Sequence, residues 1–295
     1  MFLSAGLLFG VLSLASNPVL GCTTQSQPNP IFQQYLTTPT GTNNGTTVII
    51  PIDLALARSI VPSQYPILTQ AYQSLLPDFP QDKYPMYLHS ILDHDIRELG
   101  INLVPDFTQA GLRFPFVDRL NDGTSSFVWE LPLLLSVNLV AVLGSISVDE
   151  THVGSFEPSC DPYAAGSAAG ETYFRAWNGV DQLLGKQPSF AGNFTRVDSQ
   201  PYPIGFYKNI TNQPLFGSVS TTTCDNFITL FNSSVTAAPF APVPVKGTLT
   251  VLPPFFPTAT TFTDVFGLQM DNAFVEHTGV ECSALKGYSG TGPGD

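Results

Sequence analysis

The sequence predicts a mainly β fold with flanking helices (α+β), and three features carry that expectation. Proline (26), glycine (24) and phenylalanine (22) are all abundant, which suits short strands joined by many turns. Charged residues make up only 12% of a chain that is 43% hydrophobic, a balance that supports a large buried core and is the reverse of disorder. Long amphipathic helices are few, whereas residues 84–97, 112–118 and 124–131 alternate with the period of two that a strand requires.

Taken in order, Met1 to Gly21 predicts a cleavable signal peptide. Its apolar run of about a dozen residues is too short to cross a bilayer as a helix. Asn17-Pro18 breaks a helix there, and Val19 and Gly21 offer the small residues that signal peptidase needs before Cys22. No Lys or Arg precedes the run; the competing readings are a buried N-terminal helix and, from Leu20-Gly21-Cys22, a lipoprotein box. Residues 22–46, rich in Gln, Pro, Thr, Asn and Gly, predict a flexible polar leader. A single globular domain is expected over 47–286, with a flexible polar tail over 287–295.

Inside the domain, residues 53–61 predict a short helix stopped by Pro62. Ser63 is placed to cap a second helix, whose buried face is Leu68, Tyr72, Leu75 and Leu76. Tyr84 to Arg97 reads as a strand. Asn121-Asp122-Gly123 joins the next two strands as a hairpin. The apolar residues 132–148, interrupted by Ser136, Asn138 and Gly144, read as buried strand and helix segments. Residues 170–184 predict a later helix, with Tyr173, Trp177, Val180 and Leu184 on one side and Gly185 as its stop. From 186 onward short strands follow.

The net charge of −12 excludes a nucleic-acid partner, which needs a basic face, and peripheral binding to anionic lipid. With the signal peptide it fits a soluble secreted protein with no membrane span in the mature chain. In that compartment the sequons at Asn44, Asn193, Asn209 and Asn232 become glycosylation candidates. Cys22, Cys160, Cys224 and Cys282 are widely spaced; a disulfide among Cys160, Cys224 and Cys282 is expected, leaving one thiol over.

The chemistry concentrates in one stretch. In a charge-poor chain, His89, Asp93, His94, Asp95 and Arg97 fall within ten residues. On a strand, His89, Asp93, Asp95 and Arg97 share a face beside Tyr87, while His94 points the other way. An Asp beside a His orients an imidazole as a general base, and an Arg holds an anion. His89 or His94 is thus the candidate base, Asp93 or Asp95 its orienter, and Arg97 or Arg113 the anion clamp. Tyr87, Arg113, Glu130 and His152 are candidate substrate contacts. The opposing reading is a solvated strand end in which Asp95 and Arg97 pair at the surface. No metal site is expected, since His89 and His94 are five apart and no H-E-x-x-H is present. No phosphate loop or other cofactor motif occurs, so no cofactor is expected.

Residues 48–160 also carry a resemblance. Val48-Ile49-Ile50-Pro51 leads to the helix Asp53 to Val61, then to a long strand bearing His94-Asp95. The hairpin with Phe127-Val128-Trp129-Glu130 precedes Val140-Ala141-Val142-Leu143-Gly144. This order resembles the acetoacetate decarboxylase-like family, and the resemblance implies a β-barrel around an apolar pocket. Members of that family decarboxylate β-keto acids through a Schiff-base lysine. Here Asp149-Glu150-Thr151-His152 stands where the family's catalytic loop is expected, and no lysine occurs between Lys83 and Lys186. The expectation is therefore a secreted enzyme acting on a small apolar organic acid or ketone by lysine-independent acid–base chemistry: decarboxylation, isomerisation or cyclisation. The alternatives are a non-catalytic extracellular binder of an apolar small molecule and a Thr-rich wall or adhesion protein.

Overall fold

The computed structural model describes residues 27–137, 141–142, 150–218 and 222–288. The signal peptide, Cys22, most of the segment 138–149 and the tail beyond 288 lie outside the described residues. Among the described residues no helix is long and apolar enough to cross a membrane.

The chain is mostly strand. The first half contains β1 (Thr40–Asp53), helix α1 (Leu54–Ile60), helix α2 (Thr69–Leu75), β2 (Lys83–Glu98), β3 (Ile101–Val104), β4 (Phe107–Val117), β5 (Phe127–Glu130) and β6 (Leu133–Ser136). The second half contains β7 (Thr151–Glu157), β8 (Ala164–Ala165), β9 (Glu171–Asn178), β10 (Phe190–Arg196), helix α3 (Ile204–Thr211), β11 (Leu215–Phe216), β12 (Thr223–Leu230), β13 (Val243–Val251) and β14 (Thr260–Glu281). The strands form one sheet in the order β12-β11-β5-β4-β6-β7-β9-β10-β13-β14-β1-β2-β3. Further pairings of β4 with β2 and of β12 with β14 bring this path back on itself, giving a ring-like sheet. Closure of this kind removes the exposed edges that an open sheet of many strands presents.

β2 is the centre of the arrangement, paired antiparallel with β1 along its length and with β4 from Tyr87↔Arg113 to Asp93↔Phe107. Close approach of β1 to β2 is permitted at Gly45, where a Cβ would lie 2.3 Å from the Ser90 carbonyl oxygen. Aliphatic and aromatic side chains of the strands, with Ala57 of α1, Tyr72 of α2 and Phe206 and Tyr207 of α3, form the main core. The hairpin turn is as the sequence predicts: Asn121 and Gly123 take positive φ, and the Asp118 carboxylate accepts the Asp122 and Gly123 N–H groups.

Four expectations are corrected. Thr40–Thr46, assigned to the polar leader, form the start of β1, and all but half-buried Asn44 are buried, with the hydroxyls of Thr40, Thr42 and Thr46 hydrogen-bonded to Asn29, His94 and Gln269. The second helix begins at Thr69 rather than after Ser63. Residues 170–184 are no helix: β9 pairs with β7, β8 and β10, then turns follow. Its Thr, Tyr, Phe and Trp residues favour a pleated surface. Phe174 and Ala176 alternate into the core, while Val180 and Leu184 are exposed. Cys224 and Cys282 form a disulfide across 58 residues, tying the start of β12 to the turn after β14. Cys160 is also disulfide-bonded, so no described cysteine is the leftover thiol the spacing suggested.

Candidate active site

Period-two alternation aims Tyr87, His89 and Ile91 of β2 and Gln109 and Arg113 of β4 into a cavity of about 260 Å³. β5 adds Glu130 and β6 adds Leu133 and Leu135, while β12 and β14 close the far wall with Asp225, Phe227 and Glu276. Most of the lining is apolar, with a few convergent polar groups, the usual make-up of a small-molecule site.

Arg113 is the pivot of the polar side. Its Nε donates to Glu130 Oε1 at 2.5 Å and its Nη1 donates to His89 Nδ1 at 2.7 Å. The register explains the geometry, since Arg113 is opposite both Tyr87 and Glu130 in adjacent strands. Gly111 leaves room for the carboxylate, because a Cβ there would lie 3.2 Å from Glu130 Oε1. A guanidinium can only donate, so His89 Nδ1 must accept, and the proton of the neutral ring resides on Nε2. Burial, and secondly the Arg113 charge, hold the His89 pKa well below its usual value, which keeps the ring neutral. His89 is therefore a hydrogen-bond donor to the cavity rather than the base that the sequence suggested. The base candidate on this side is Glu130: it is 3% exposed and its Oε2 has no hydrogen-bond partner. Burial pushes the Tyr87 hydroxyl up to about 12, and that hydroxyl donates to the Ile210 carbonyl at 3.2 Å.

Asp93 sits just behind the lining, accepting from Gln109 Nε2 at 2.5 Å. Burial raises its pKa to about 8, so the carboxyl is mostly protonated at neutral pH. Asp95 and Arg97 do not join this face. Asp95 takes a positive φ of 46° and β2 shifts register at Ile96/Arg97, so Ile96 reaches the cavity instead. Arg97 Nε then donates to Asp95 Oδ1 at 2.7 Å, and its guanidinium lies over the Phe32 ring. His94 is fully buried on the opposite face, with Nδ1 2.8 Å from Thr42 Oγ1 and Nε2 3.3 Å from Asp271 Oδ2. His152 is 3.2 Å from Glu150 near the surface, away from the cavity lining.

The pair that sequence reasoning missed is Asp225 and Glu276. Both line the cavity, and burial raises the Glu276 pKa. Asp225 is brought into the wall by a register shift of β12 against β14 at Cys224/Asn226, beside the Cys224–Cys282 disulfide. A carboxylate directly after two apolar residues, as in Phe274-Val275-Glu276, was the available signal.

None of the five lysines is among the lining residues. Lys83, Lys186, Lys246 and Lys286 pair with Asp53, Asp181, Asp264 and Asp122, and Lys208 lies over the Phe231 ring. Among the described residues no group of three or more His, Cys, Asp or Glu is placed to hold a metal ion.

No family model and no curated protein matches the sequence. Solved structures do: the mostly β fold with its ring-like sheet is similar to that of the enduracididine biosynthesis enzyme MppR. The enduracididine biosynthesis enzyme MppR complexed with pyruvate overlays with a TM-score of 0.52 at 12% identity, covering 91% of this chain and 100% of that one. MppR complexed with the condensation product of pyruvate and imidazole 4-carboxaldehyde gives 0.50 at 10% identity, covering 92% and 98%. An acetoacetate decarboxylase-like enzyme from Sphingomonas wittichii RW1 gives 0.42 at 9% identity, covering 83% and 92%. At such identities the likeness is one of fold.

Proposed function

We propose that this protein is a secreted enzyme that isomerises or otherwise enolises a small apolar ketone in the 260 Å³ cavity without forming an imine. The observation that carries the reading is the Arg113 pivot, which holds a neutral donor, His89, and a carboxylate, Glu130, on the same wall of an apolar cavity. His89 Nε2–H donates to the carbonyl oxygen. Glu130 takes a proton from the adjacent carbon; the C–H pair moves into the enolate, whose oxygen His89 holds. Return of that proton to carbon completes the cycle. A ketone is favoured over an organic acid because the Arg113 charge is already matched by Glu130, leaving no cation on the wall to receive a carboxylate.

Exchange of the α-protons of cyclohexanone in D₂O, followed by NMR, tests this. The native protein is expected to accelerate exchange, and His89→Ala or Glu130→Gln to lower the rate by about 10²–10³-fold. Rates unchanged in both variants would remove the assignment.

Secretion has its own test. Asn232 is exposed, whereas the Asn209 side chain is 3% exposed and its Oδ1 accepts from Gln213 Nε2. Asn193 Oδ1 accepts from Arg175. Glycopeptide mapping after expression through a eukaryotic secretory pathway is expected to find Asn232 occupied and Asn209 bare. A glycan on Asn209 would contradict the fold around α3.

A further inference from the structure

We propose that the cavity takes a linear alkyl ketone, with its carbonyl at the Arg113 pivot and its chain running along β2 and β4 towards Phe107. The inference rests on the reading of this cavity as an enolising site and names the class of ketone that fits it.

Cross-strand register lays the wall out in rows. Tyr87, Arg113 and Glu130 stand opposite one another in the first row, and His89 opposes Gly111 in the second. The polar groups of the pivot are all in these two rows. In the third row Ile91 opposes Gln109, which opposes Leu135, and Phe107 follows two positions further along β4. Ile96, Phe107, Leu133 and Leu135 pack into one apolar cluster, with Phe227 against it. Gln109 is the polar exception on this wall, and its Nε2 is turned to Asp93 Oδ2. On the far wall Glu276 opposes Phe227, and burial raises its pKa, the sense that favours the uncharged carboxyl. Gly111 to Phe107 is four positions of regular strand, about 13 Å at ~3.3 Å per residue. A cavity of about 260 Å³ drawn out over that length is long and narrow. An extended chain contacts all of its walls, whereas a ring of equal volume leaves part of them without partner atoms.

The irregularity of β2 points the same way. Regular alternation beyond Asp93 would aim Asp95 and Arg97 along the cavity face. The positive φ at Asp95 and the register shift after it put Ile96 there instead. Asp95 is fixed in this conformation from several sides. Its Oδ2 accepts from the Asn29 N–H at 2.8 Å, its Oδ1 from Arg97 Nε at 2.7 Å, and its own N–H donates to Asp106 Oδ1 at 3.1 Å. Two charges are thereby kept out of the far end of the cavity, where an apolar chain is stabilised and an unpaired charge is costly.

A series of 2-butanone, 2-hexanone and 2-octanone offered to the full chain tests this, with α-proton exchange in D₂O read by NMR and binding by calorimetry. KM is expected to fall about three- to fourfold for each added methylene, the gain from burying one CH₂. The kcat is expected to change little, because the chain is held alike in the substrate and in the transition state. Leu135→Phe narrows the third row and is expected to lower the octanone-to-butanone ratio of kcat/KM at least about tenfold. The series on the native protein decides the inference whether or not that variant folds. A KM that is flat or rises with chain length, with exchange still catalysed, would overturn the inference and leave the enolising site. Affinity that rises with length, with no exchange of any ketone, would support the alkyl chain as the ligand's tail and remove enolisation. Neither binding nor exchange would overturn both.

Discussion

Arg113→Met is expected to lower the free energy of unfolding by about 3–5 kcal/mol, the effect of stranding a buried charge by removing its partner. The Glu130 side chain is 1% exposed, and Arg113 Nε is its 2.5 Å partner. With Met in place, Glu130 must either stay ionised without a counterion or take up a proton. His89 also loses the donor on Nδ1, so its ring is no longer held in one tautomer. The double variant Arg113→Met with Glu130→Met is expected to recover most of the loss, because two apolar side chains of similar volume replace the pair. Urea unfolding of the three proteins at pH 7 measures this. A single variant as stable as the native chain would mean that the pivot is not formed as described.

Asp93→Asn is expected to raise stability at pH 8 by much more than at pH 5, and to change it little only below about pH 4. The folded-state pKa of Asp93 is about 8, against 3.8 for the ordinary carboxyl. Between those two values the folded chain binds a proton that the unfolded chain has released, so stability falls as pH rises through this range. The contribution is full below about pH 4 and is lost towards pH 8, with an upper bound on the order of 5 kcal/mol. Burial raises Glu276 and Asp271 in the same direction, whereas the lowered pKa of His89 acts in the opposite sense below its ordinary value of 6.5. Asparagine cannot ionise, and its side-chain oxygen still accepts from Gln109. Urea midpoints at pH 5 and pH 8 for both chains check the sign; equal pH slopes would exclude a protonated Asp93.

How far these features are legible in the sequence follows from strand periodicity. The period of two placed Tyr87, His89 and Asp93 on one side of β2 and His94 on the other, as the structure has them. Periodicity runs only as far as the strand is regular: the positive φ at Asp95 and the register shift after it took Arg97 to the surface. Arg113 and Glu130 were visible as rare charges in apolar strands, but their joint hold on His89 depends on cross-strand register, which no local pattern encodes. Asp225 and Glu276 are 51 positions apart and meet only because β12 pairs with β14 at a bulge. The 170–184 segment misled for a physical reason. Tyr173, Trp177, Val180 and Leu184 match a helical stripe, yet Thr, Tyr, Phe and Trp favour a strand, and pairing with β7 and β10 decided between them. The mainly β class agrees with the fold, and the β-barrel implied by the family resemblance is met by a ring-like sheet, at a sequence identity to MppR of only 10–12%.

The central claim is that chemistry in this cavity proceeds without an imine. Sodium borohydride reduces a lysine–ketone imine to a stable amine, so intact-mass spectrometry after incubation with cyclohexanone and borohydride reads it directly. The expected result is an unchanged protein mass, with α-proton exchange still catalysed after the reagent is removed. A mass gain of one reduced ketone on a lysine, together with loss of exchange, would contradict the account.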